Sequence, residues 1–423
     1  MILSEAKITA IKDSRSSQTI EAHLTAHEGN GKEVSVKSSV PSGKSTGTYE
    51  VKSLNIATVF EQFEKIKRNI IGVNFRDQQE FDRLLIALDG SSDKHILGGN
   101  LILALSEGFA RAFSGTHNLE LNQYLHQLLE QKSEVPDRFP RPLFNIINGG
   151  AHVTIPKSWN KKFNVSKPLD IQEFQVVPTV DDFALGLSVG KEFYSKLERE
   201  LKKIYGEEGV VFGDEAGYVC PFKTNEEALE IIQELINHHL YPLKIGLDAA
   251  ASQFHNDVSN LYSVEGIEIT PEELAMLYYD FAHAYELISL EDPFNEEAFD
   301  DFSRLQAKIP ETIIITDDLT TTNPERLFTA ISKKSANAIL IKPNQIGTVT
   351  ETIDVISMAY KSGWKTIVSH RSGETKDDFI ADLAVGVGAW GLKSGAPATE
   401  YRMAKYSRAL ELWQKNNSSD FFI

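Results

Sequence analysis

The chain has 423 residues, of which 41% are hydrophobic, and its formal net charge is −17. A chain of this length buries a large core, and we expect two domains. An acidic surface repels nucleic acid and anionic membranes, so neither is an expected partner. The single cysteine excludes an internal disulfide and fits a reducing compartment. The N-terminal residues lack the apolar segment of a secretory signal, and we expect a cytoplasmic protein.

The first part of the chain predicts an α+β domain. Residues 1–55 have the period-two pattern of β-strands, as in QTIEAHLTAH and EVSVKSSV. The apolar spacing then becomes helical, as in IATVFEQFEKIKRNI and LILALSEGFARAFSG. A run of charges and prolines, EQKSEVPDRFPRP, predicts a domain boundary. We therefore divide the chain into an N-terminal domain, 1–137, and a larger second domain, 138–423.

The segment VPSGKSTGTYE, residues 40–50, contains the Gly-Lys-Ser-Thr sequence that ends a nucleotide-binding P-loop. The first glycine of that motif would stand at position 38, which is Ser38. No helix start follows the loop, because Thr-Gly-Thr-Tyr is typical of turns and strands. These two departures argue against a P-loop, while an ordinary polar hairpin loop stays open.

In the second domain, short apolar runs alternate with helical patterns. Continuous apolar strands separated by helices are typical of parallel βα units that are covered on both faces. About eight such units predict a (β/α)₈ barrel. A doubly wound open sheet fits the same periodicity and is the weaker alternative.

Six of the apolar runs end in an ionisable residue: Asp248, Glu291, Asp317, Lys342, His370 and Lys393. In a parallel barrel the carboxyl ends of the strands meet at one face, where active sites lie. A strand has to end in something polar, so one or two such residues would carry no information. Six consecutive ones predict a shared pocket.

Three of the six are carboxylates on neighbouring strands: Asp248, Glu291 and Asp317. Left unscreened, they would repel one another and raise one another's pKa values. A hard dication relieves this repulsion, and an all-oxygen ligand set favours Mg²⁺. The sequence has no Cys or His cluster at zinc spacing. Each acid taken alone could equally cap a loop or form a salt bridge.

The basic residues at the other strand ends suit an anionic substrate. Lys342 and Lys393 would face the acids across the barrel mouth, where a second ammonium and a dication lower the pKa of a lysine and let it act as a base. His370, Arg371 and Ser372 supply donors for a phosphate or a carboxylate.

Glu215, in GDEAG, ends the earlier apolar run VVFGDE and is a candidate general acid, although composition alone favours a turn residue. A metal, a lysine base and an opposed carboxyl acid suit proton abstraction next to a carboxylate. The dianionic intermediate of such a reaction needs cations around it.

These residues and their surroundings resemble the enolase family over nearly the whole chain. The similar blocks include IGLDAAASQF, SLEDPF, DDLTTTNPERL, KPNQIGTVTETI, VSHRSGETKDDFIADLAVG and KSGAP. The combination of VSHRSGET with KPNQIG is highly specific. The resemblance implies an α+β domain on a modified barrel, and the reversible dehydration of 2-phospho-D-glycerate to phosphoenolpyruvate. It also implies two Mg²⁺ per active site and a homodimer or larger homo-oligomer.

The resemblance further implies the metal ligands. Asp248, Glu291 and Asp317 match the ligands of the first Mg²⁺. Ser45, in the mobile loop 40–50, matches a serine that binds the second. Lys44 is unusual at its position in the family, and no role is assigned to it.

The remaining matched residues imply the reaction roles. Lys342 matches the base that removes the C2 proton, Glu215 the acid that protonates the departing C3 hydroxyl, and Glu173 the carboxylate partner of that acid. The other matches lie at the substrate: His370, Arg371 and Ser372 at the phosphate, Lys393 at the carboxylate, Gln172 beside Glu173, and His152 on a loop.

The loops depart from the family pattern. Ala216-Gly217-Tyr218 follows the acid where the family has two glycines, and a methyl group at Ala216 strains a backbone that needs positive φ. An insertion at 153–170 places a lysine-rich loop beside the pocket. The segment around Arg15, near the family's dimer contact, lacks the usual Gly-Asn-Pro.

These departures leave two alternatives to the dehydration of 2-phosphoglycerate. The first is a related enzyme that acts on another phosphorylated or phosphonylated small acid. The second is a non-catalytic binding or scaffold protein that kept the fold. Such drift would remove the charged pocket residues first, because unpaired buried charges cost stability, and none of the matched residues is lost.

Overall fold

The computed structural model describes residues 1–29, 31–43 and 47–418. The N-terminal domain is an antiparallel sheet of three strands in the order β1–β2–β3, followed by helices. The α+β prediction is therefore confirmed. Its elements are β1 Ile2–Lys12, β2 Gln18–His27, β3 Glu33–Ser39, α1 Ile56–Ile70, α2 Gln78–Asp89, α3 Gly99–Thr116 and α4 Leu121–Glu130.

The sheet buries one face against α3. Ala22, Leu24 and Ala26 alternate along β2 and are almost fully buried, as the period-two pattern predicts. The helix α3 is apolar nearly all round and lies between this sheet and the rest of the chain. Asn55 caps α1 by accepting a hydrogen bond from the main-chain nitrogen of Thr58, 3.1 Å away.

The second domain alternates strands with helices over most of its length. Its elements begin with β4 Arg141–Asn148, α5 Ser158–Phe163, β5 Glu173–Pro178, α6 Phe183–Tyr205, β6 Val211–Phe212, β7 Tyr218–Val219, α7 Asn225–His239, β8 Leu243–Asp248, β9 His255–Asn256, β10 Leu261–Val264 and β11 Ile267–Ile269. They continue with α8 Pro271–Ala284, β12 Ser289–Glu291, α9 Phe299–Lys308, β13 Ile313–Thr316, α10 Pro324–Lys333, β14 Ala338–Ile341, α11 Pro343–Ile346, α12 Val349–Lys361, β15 Lys365–Ser369, α13 Phe379–Gly386, β16 Gly391–Lys393 and α14 Glu400–Ser418.

Eight strands close into a barrel: β4, β5, β8 and β12 to β16. The strand β16 pairs in parallel with β4, which completes the ring. The barrel prediction is confirmed, with one correction: β5 runs antiparallel to both of its neighbours, β4 and β8. The chain returns from β4 to β5 through a loop that carries the short helix α5, and antiparallel neighbours need no crossover helix packed on the sheet.

The apolar run VVFGDE is not a barrel strand. It forms β6, which pairs with β7 in a short hairpin on the edge of β4. The expectation that Glu215 ends a barrel strand is therefore wrong. Glu215 lies in the turn between β6 and β7, where the main-chain nitrogen of Gly213 donates to the carbonyl of Gly217 at 2.9 Å.

Apolar side chains fill the lower part of the barrel interior, so a polar cavity remains only at the mouth. Leu143, Val177, Ile315, Leu340 and Ile367 form one buried cluster inside the ring. A larger apolar core lies between the barrel and its helices, and a third fills the N-terminal domain. Among the described helices, none is long and apolar enough to cross a bilayer. The boundary at residue 137 stays a prediction.

A buried carboxylate connects the N-terminal domain to the second domain. Asp82, on α2, is fully buried. One of its oxygens accepts from Gln78 at 3.0 Å and Ser106 at 2.6 Å. The other accepts from the main-chain nitrogen and the hydroxyl of Thr350, at 2.9 and 2.6 Å, in the first turn of α12.

Asp82→Asn is expected to lower the free energy of unfolding by about 2–3 kcal/mol, because its amide nitrogen would face donors on either side. Denaturant unfolding at pH 7 measures this loss, with the exposed Asp280→Asn as control. Equal stability of the two variants would contradict the assignment.

The loss of stability in Asp82→Asn is also expected to depend on pH. Burial is the main reason why the pKa of Asp82 rises to about 6 from an ordinary value of 3.8. The folded protein then holds the Asp82 proton more tightly than the unfolded chain does. The wild type gains stability from this group as pH falls from about 6 towards 4, and Asp82→Asn does not. The loss caused by the substitution is therefore expected to be larger at pH 5 than at pH 7.

Candidate active site

A polar cavity lies at the barrel mouth, and nearly all of the predicted site residues line it. The lining includes His152, Gln172, Glu173, Glu215, Asp248, Asp317, Lys342, His370, Arg371, Ser372 and Lys393. Glu291 lies just behind this surface and contacts Lys393. Ser45 and Lys44 lie outside the described residues, so the second metal site stays a prediction from the sequence.

The strand register brings the charged residues together. Asp248, Glu291 and Lys393 are the last residues of β8, β12 and β16. Asp317, Lys342 and His370 follow directly after β13, β14 and β15. Within the ring Glu291 is level with Asp248, and Asp248 is level with Glu173 on the antiparallel strand. Because β5 runs in the opposite direction, its first residue, Glu173, reaches the same mouth.

The ammonium group of Lys393 lies among three buried carboxylates. Its Nζ is 2.8 Å from Asp248, 2.7 Å from Glu291 and 3.2 Å from Glu173. Burial alone would lower the pKa of Lys393, but the three carboxylates outweigh it and hold that pKa well above the ordinary value. The lysine is therefore a fixed cation at the centre of the mouth.

The second lysine, Lys342, forms an ion pair with Asp317, whose other oxygen accepts from Gln345 at 3.0 Å. The lowered lysine pKa was predicted for a site that holds a dication, and the protein alone shows the opposite direction. Burial lowers the pKa of Lys342, but the Asp317 carboxylate overrides it and the pKa is raised. The expected lowering depends on a dication that occupies Asp317 instead.

The carboxylate set fits a divalent cation. One oxygen of Glu291, Oε1, is buried and has no hydrogen-bond partner among the described residues. Burial and the nearby charge of Asp248 raise the pKa of Glu291 well above its ordinary range, so the site favours a cation or a proton there. An oxygen-only set of this kind suits Mg²⁺.

The neighbouring carboxylate of Asp292 orients a loop of the site. Asp292 accepts the main-chain N–H groups of Asp317 and Asp318, at 3.0 and 2.7 Å, and so orients the loop that carries Asp317. Burial and the Asp317 charge raise the pKa of Asp318 to about 7. The three carboxylates lie close enough to hold a metal, but both oxygens of Asp292 are already hydrogen-bonded.

A second acidic cluster faces Lys342 and Asp317 across the cavity. The Nδ1 atom of His152 lies 3.7 Å from Glu215 and 3.8 Å from Glu173. All three side chains are buried. Burial, followed by the charge of Glu215, raises the pKa of Glu173 well above its ordinary value. Burial also raises the pKa of Glu215, but His370 and His152 beside it outweigh burial and hold that pKa well below its ordinary value, so in the protein alone a proton favours Glu173 over Glu215.

His370 continues this cluster. Its Nε2 lies 3.3 Å from Oε2 of Glu215, and the Nδ2 of Asn145 donates to the same oxygen at 3.1 Å. Complete burial lowers the pKa of His370 to about 3, so its ring is neutral. His370 therefore lies beside the acid Glu215 rather than among the free phosphate donors.

The predicted phosphate donors are engaged with the N-terminal domain. Arg371 forms two hydrogen bonds with Glu50, of 2.8 and 3.1 Å. Arg15 donates to the hydroxyl of Ser372 at 3.3 Å and to Ser42 at 3.1 Å. Arg15, expected near a dimer contact, thus joins the loop 40–43 to the site within one chain.

Gln172 forms part of the cavity wall, where hydrogen bonds fix its position. Its main-chain nitrogen donates to the carbonyl of Asp248 at 3.0 Å, and its side chain accepts from Gln253. Gly150, with a φ of 51°, lies against both side chains. Gln172 lines the cavity, and its role at the substrate stays a prediction.

The inserted segment 153–170 does not line the cavity. Trp159 anchors it: the side chain is 1% exposed, and its Nε1 donates to the carbonyl of Glu208 at 3.1 Å. Val165 and Leu169 are buried as well. This lysine-rich loop therefore lies beside the cavity, between His152 and Gln172, without lining it, and an apolar anchor holds it against 207–209.

Ala216 adopts the left-handed backbone that the sequence suggested, with a φ of 64°. The strained conformation is thus kept without glycine. The next residue does require glycine, because a Cβ at Gly217 would lie 2.4 Å from the side chain of Asn148.

Sequence reasoning missed several residues that shape the site: Glu50, Asn145, Gln253, Asp292, Asp318 and Arg402. Only two had a local signal, since Asp292 and Asp318 directly follow the predicted ligands Glu291 and Asp317. The others reach the cavity from distant segments.

Two sequence families cover the chain. Residues 3–125 match "Enolase, N-terminal domain", and residues 137–420 match "Enolase, C-terminal TIM barrel domain". The curated protein "Enolase" of Methanocaldococcus jannaschii is 37% identical over 423 aligned residues, which cover 97% of this chain and 94% of the relative. "Enolase" of Methanosarcina barkeri is also 37% identical, with 95% and 92% covered. With both domains matched and these relatives aligned over nearly their full length, the chain belongs to the enolase family, a family of lyases.

Proposed function

We propose that this chain is a phosphopyruvate hydratase that reversibly dehydrates 2-phospho-D-glycerate to phosphoenolpyruvate with the help of Mg²⁺. The observation that carries the proposal is the opposition of two proton-transfer groups across one cavity. Lys342, directly after β14, lies on one side with Asp317. Glu173, on β5, lies on the other side with Glu215 and His152, because β5 and β14 are four strands apart in the closed ring of eight. A base and an acid on opposite sides of a small acid suit removal of a C2 proton and of a C3 hydroxyl.

The metal would be held by Asp248, Glu291 and Asp317, and a second by Ser45. Bound there, Mg²⁺ supplies positive charge for the carboxylate oxygens of the substrate as negative charge develops. With a cation at these carboxylates, Asp317 would no longer need Lys342 to balance its charge. Asp248 and Glu291 would likewise no longer need Lys393. Both lysines then become available to the substrate.

The chain's own residues perform the two bond changes. The free amine of Lys342 takes the proton from C2, and the electron pair of that C–H bond passes to the substrate carboxylate, where Lys393 supplies positive charge. Glu215 then gives its proton to the C3 hydroxyl as the C3–O bond breaks. The returning electron pair forms the C2–C3 double bond, and water leaves. No oxidant or reductant is consumed.

The proton for the second step is held in advance by the acidic cluster. Glu173 and Glu215 both lie near Nδ1 of His152 in a buried site, where two adjacent carboxylates cannot both ionise at low cost. Gln175 donates to Glu173 at 2.8 Å and fixes its orientation. A proton stored in this pair is available without solvent entry.

The phosphate would lie between Arg371 and Ser372. Arg371 has a planar fork that suits phosphate oxygens, and it is held by Glu50 in the free protein. Glu50 also accepts from the main-chain nitrogen of Gly47 at 3.0 Å, within the loop 40–50. The phosphate group would thus be recognised at the point where the loop 40–50 meets the barrel.

A direct assay tests the proposal. Purified protein, Mg²⁺ and 2-phosphoglycerate are expected to give the ultraviolet absorbance of the enol phosphate, and excess EDTA is expected to stop it. Absence of turnover beside a competent control enzyme would reject the proposal. Turnover of a different phosphorylated or phosphonylated acid would support the related-enzyme alternative, and no reaction with any of them would support the scaffold alternative.

The inserted segment is expected to leave the specificity unchanged. Lys157→Ala combined with Lys161→Ala removes two exposed charges from it, neither of which reaches the cavity. The KM for 2-phosphoglycerate is expected to stay within about twofold of the wild type, since distant exposed charges are screened. A tenfold or larger rise would show that this segment contributes to substrate binding. The cytoplasmic location and the homo-oligomer stay predictions.

A further inference from the structure

The buried guanidinium of Arg402 is the starting observation. Arg402 lies on α14 and is 1% exposed. Among the described residues its four side-chain hydrogen bonds go to three main-chain carbonyls and one ring nitrogen, and none goes to a carboxylate. A buried arginine without a carboxylate partner is costly, so its location calls for a reason other than charge pairing.

The three carbonyls belong to the segments that carry the candidate catalytic groups. Nη1 donates to the carbonyl of Arg371 at 2.7 Å, and Nη2 donates to those of Ser372 at 2.7 Å and Asp214 at 3.1 Å. Asp214 directly precedes Glu215. One side chain therefore joins the loop of the acid to the loop after β15.

The fourth hydrogen bond determines a proton position. Nη1 also donates to Nδ1 of His370. A guanidinium has only N–H donors, so Nδ1 has to accept and carries no proton. The single ring proton must then lie on Nε2, which is 3.3 Å from Oε2 of Glu215. His370 is held as the neutral Nε2–H tautomer, with its N–H directed at the acid.

The geometry points to Arg402 as a positioning residue: it holds His370 in the Nε2–H tautomer, so that the ring donates a hydrogen bond to Glu215 and orients its carboxyl group. This inference rests on the proposed dehydration. His370 itself keeps its proton throughout the reaction and is a hydrogen-bond donor rather than an acid.

The same geometry assigns the two oxygens of Glu215. Oε2 already faces two donors, His370 and Asn145. Oε1, beside His152, is the oxygen left to carry the proton. When the Oε1–H bond breaks and the proton passes to the departing hydroxyl, the new carboxylate keeps its hydrogen bonds at Oε2. The donors are in place before the charge forms, which lowers the cost of the transfer.

Nitrogen NMR of histidine-labelled full-length protein tests the tautomer without any substrate. His370 is assigned as the signal that disappears in His370→Gln. In the wild type we expect an unprotonated Nδ1 and a protonated Nε2 across neutral pH. In Arg402→Met the ring is expected to lose this fixed state and to show averaged tautomers. A protonated Nδ1 in the wild type would overturn the inference.

Kinetics provide the second measurement. Arg402→Met is expected to lower kcat for 2-phosphoglycerate about 100-fold while KM changes less than about threefold, because a misplaced catalytic group mainly affects the transition state. Arg402→Lys, which still has only donors, is expected to recover part of kcat and the tautomer. The control is Arg408→Met on the same helix, since Arg408 forms ion pairs with Asp382 at 2.8 Å and with Glu120 at 3.1 Å.

The outcomes separate the two proposals. A wild type that shows the Nε2–H tautomer but no turnover would reject the dehydration and keep the tautomer assignment. Equal kcat values in Arg402→Met and Arg408→Met would overturn the positioning role. If Arg402→Met fails to fold, the wild-type spectrum still tests the tautomer of His370, and Arg402→Lys still tests the positioning role of Arg402.

Discussion

Lys342→Ala is expected to abolish the exchange of the C2 proton of 2-phosphoglycerate with solvent, and to lower kcat by about 10³–10⁴-fold. Among the described residues no other amine is placed for this step, because Lys393 lies among Asp248, Glu291 and Glu173. Deuterium exchange followed by proton NMR measures the first effect, and enol absorbance measures the second.

The exposed Lys361→Ala is the control for general effects of losing a lysine. Thermal unfolding of Lys342→Ala in Mg²⁺ checks that the fold survives, since Asp317 loses its ion-pair partner. A folded Lys342→Ala protein that exchanges the C2 proton at the wild-type rate would remove Lys342 from the role of base.

Glu215→Gln is expected to block dehydration while leaving part of the C2 exchange. The amide has nearly the same shape as the carboxyl group but cannot deliver a proton to the departing hydroxyl. We expect kcat to fall by about 10²–10⁴-fold, the range of a lost general acid. The exchange rate should fall much less, because Lys342 is unchanged.

Both rates are measured on the same protein sample, and their ratio is the result. Equal loss of exchange and turnover in Glu215→Gln would contradict the division of roles between Lys342 and Glu215. A variant with wild-type turnover would move the acid to another residue, of which Glu173 is the nearest buried carboxyl on the same histidine.

Much of the site could be predicted because parallel strands have a simple rule. The apolar runs mark the strands, and the polar residue at the end of each marks the mouth of the barrel. This rule found Asp248, Glu291, Asp317, Lys342 and Lys393, all of which lie at or directly behind the cavity. The spacing of about one βα unit between them was the informative feature.

The rule does not apply to β5 or to the hairpin that carries Glu215. The apolar run of β5 contains no information on strand direction, so its antiparallel course and the arrival of Glu173 from the start of a strand were hidden. Only the family resemblance found Glu173. The run VVFGDE has a strand-like composition but forms the outer hairpin that carries Glu215.

Contacts between segments that are distant in the chain could not be predicted from the sequence either. Glu50 reaches Arg371 across 321 positions, and Arg402 reaches His370 from the last helix. Neither Glu50 nor Arg402 belongs to a pattern that periodicity can detect. The pairing with Asp317 that raises the pKa of Lys342 in the protein alone depends on side-chain placement, which periodicity does not show; the predicted lowering applies with a dication at the carboxylates.

The most direct test of the metal-centred site is anomalous scattering from crystals grown with Mn²⁺ in place of Mg²⁺. We predict a peak bounded by Asp248, Glu291 and Asp317, with the ammonium group of Lys393 moved away from Asp248 and Glu291. A peak among His152, Glu173 and Glu215, or among Asp292, Asp317 and Asp318 without the other two ligands, would contradict the site. So would the absence of any peak at the barrel mouth at saturating Mn²⁺ with 2-phosphoglycerate bound.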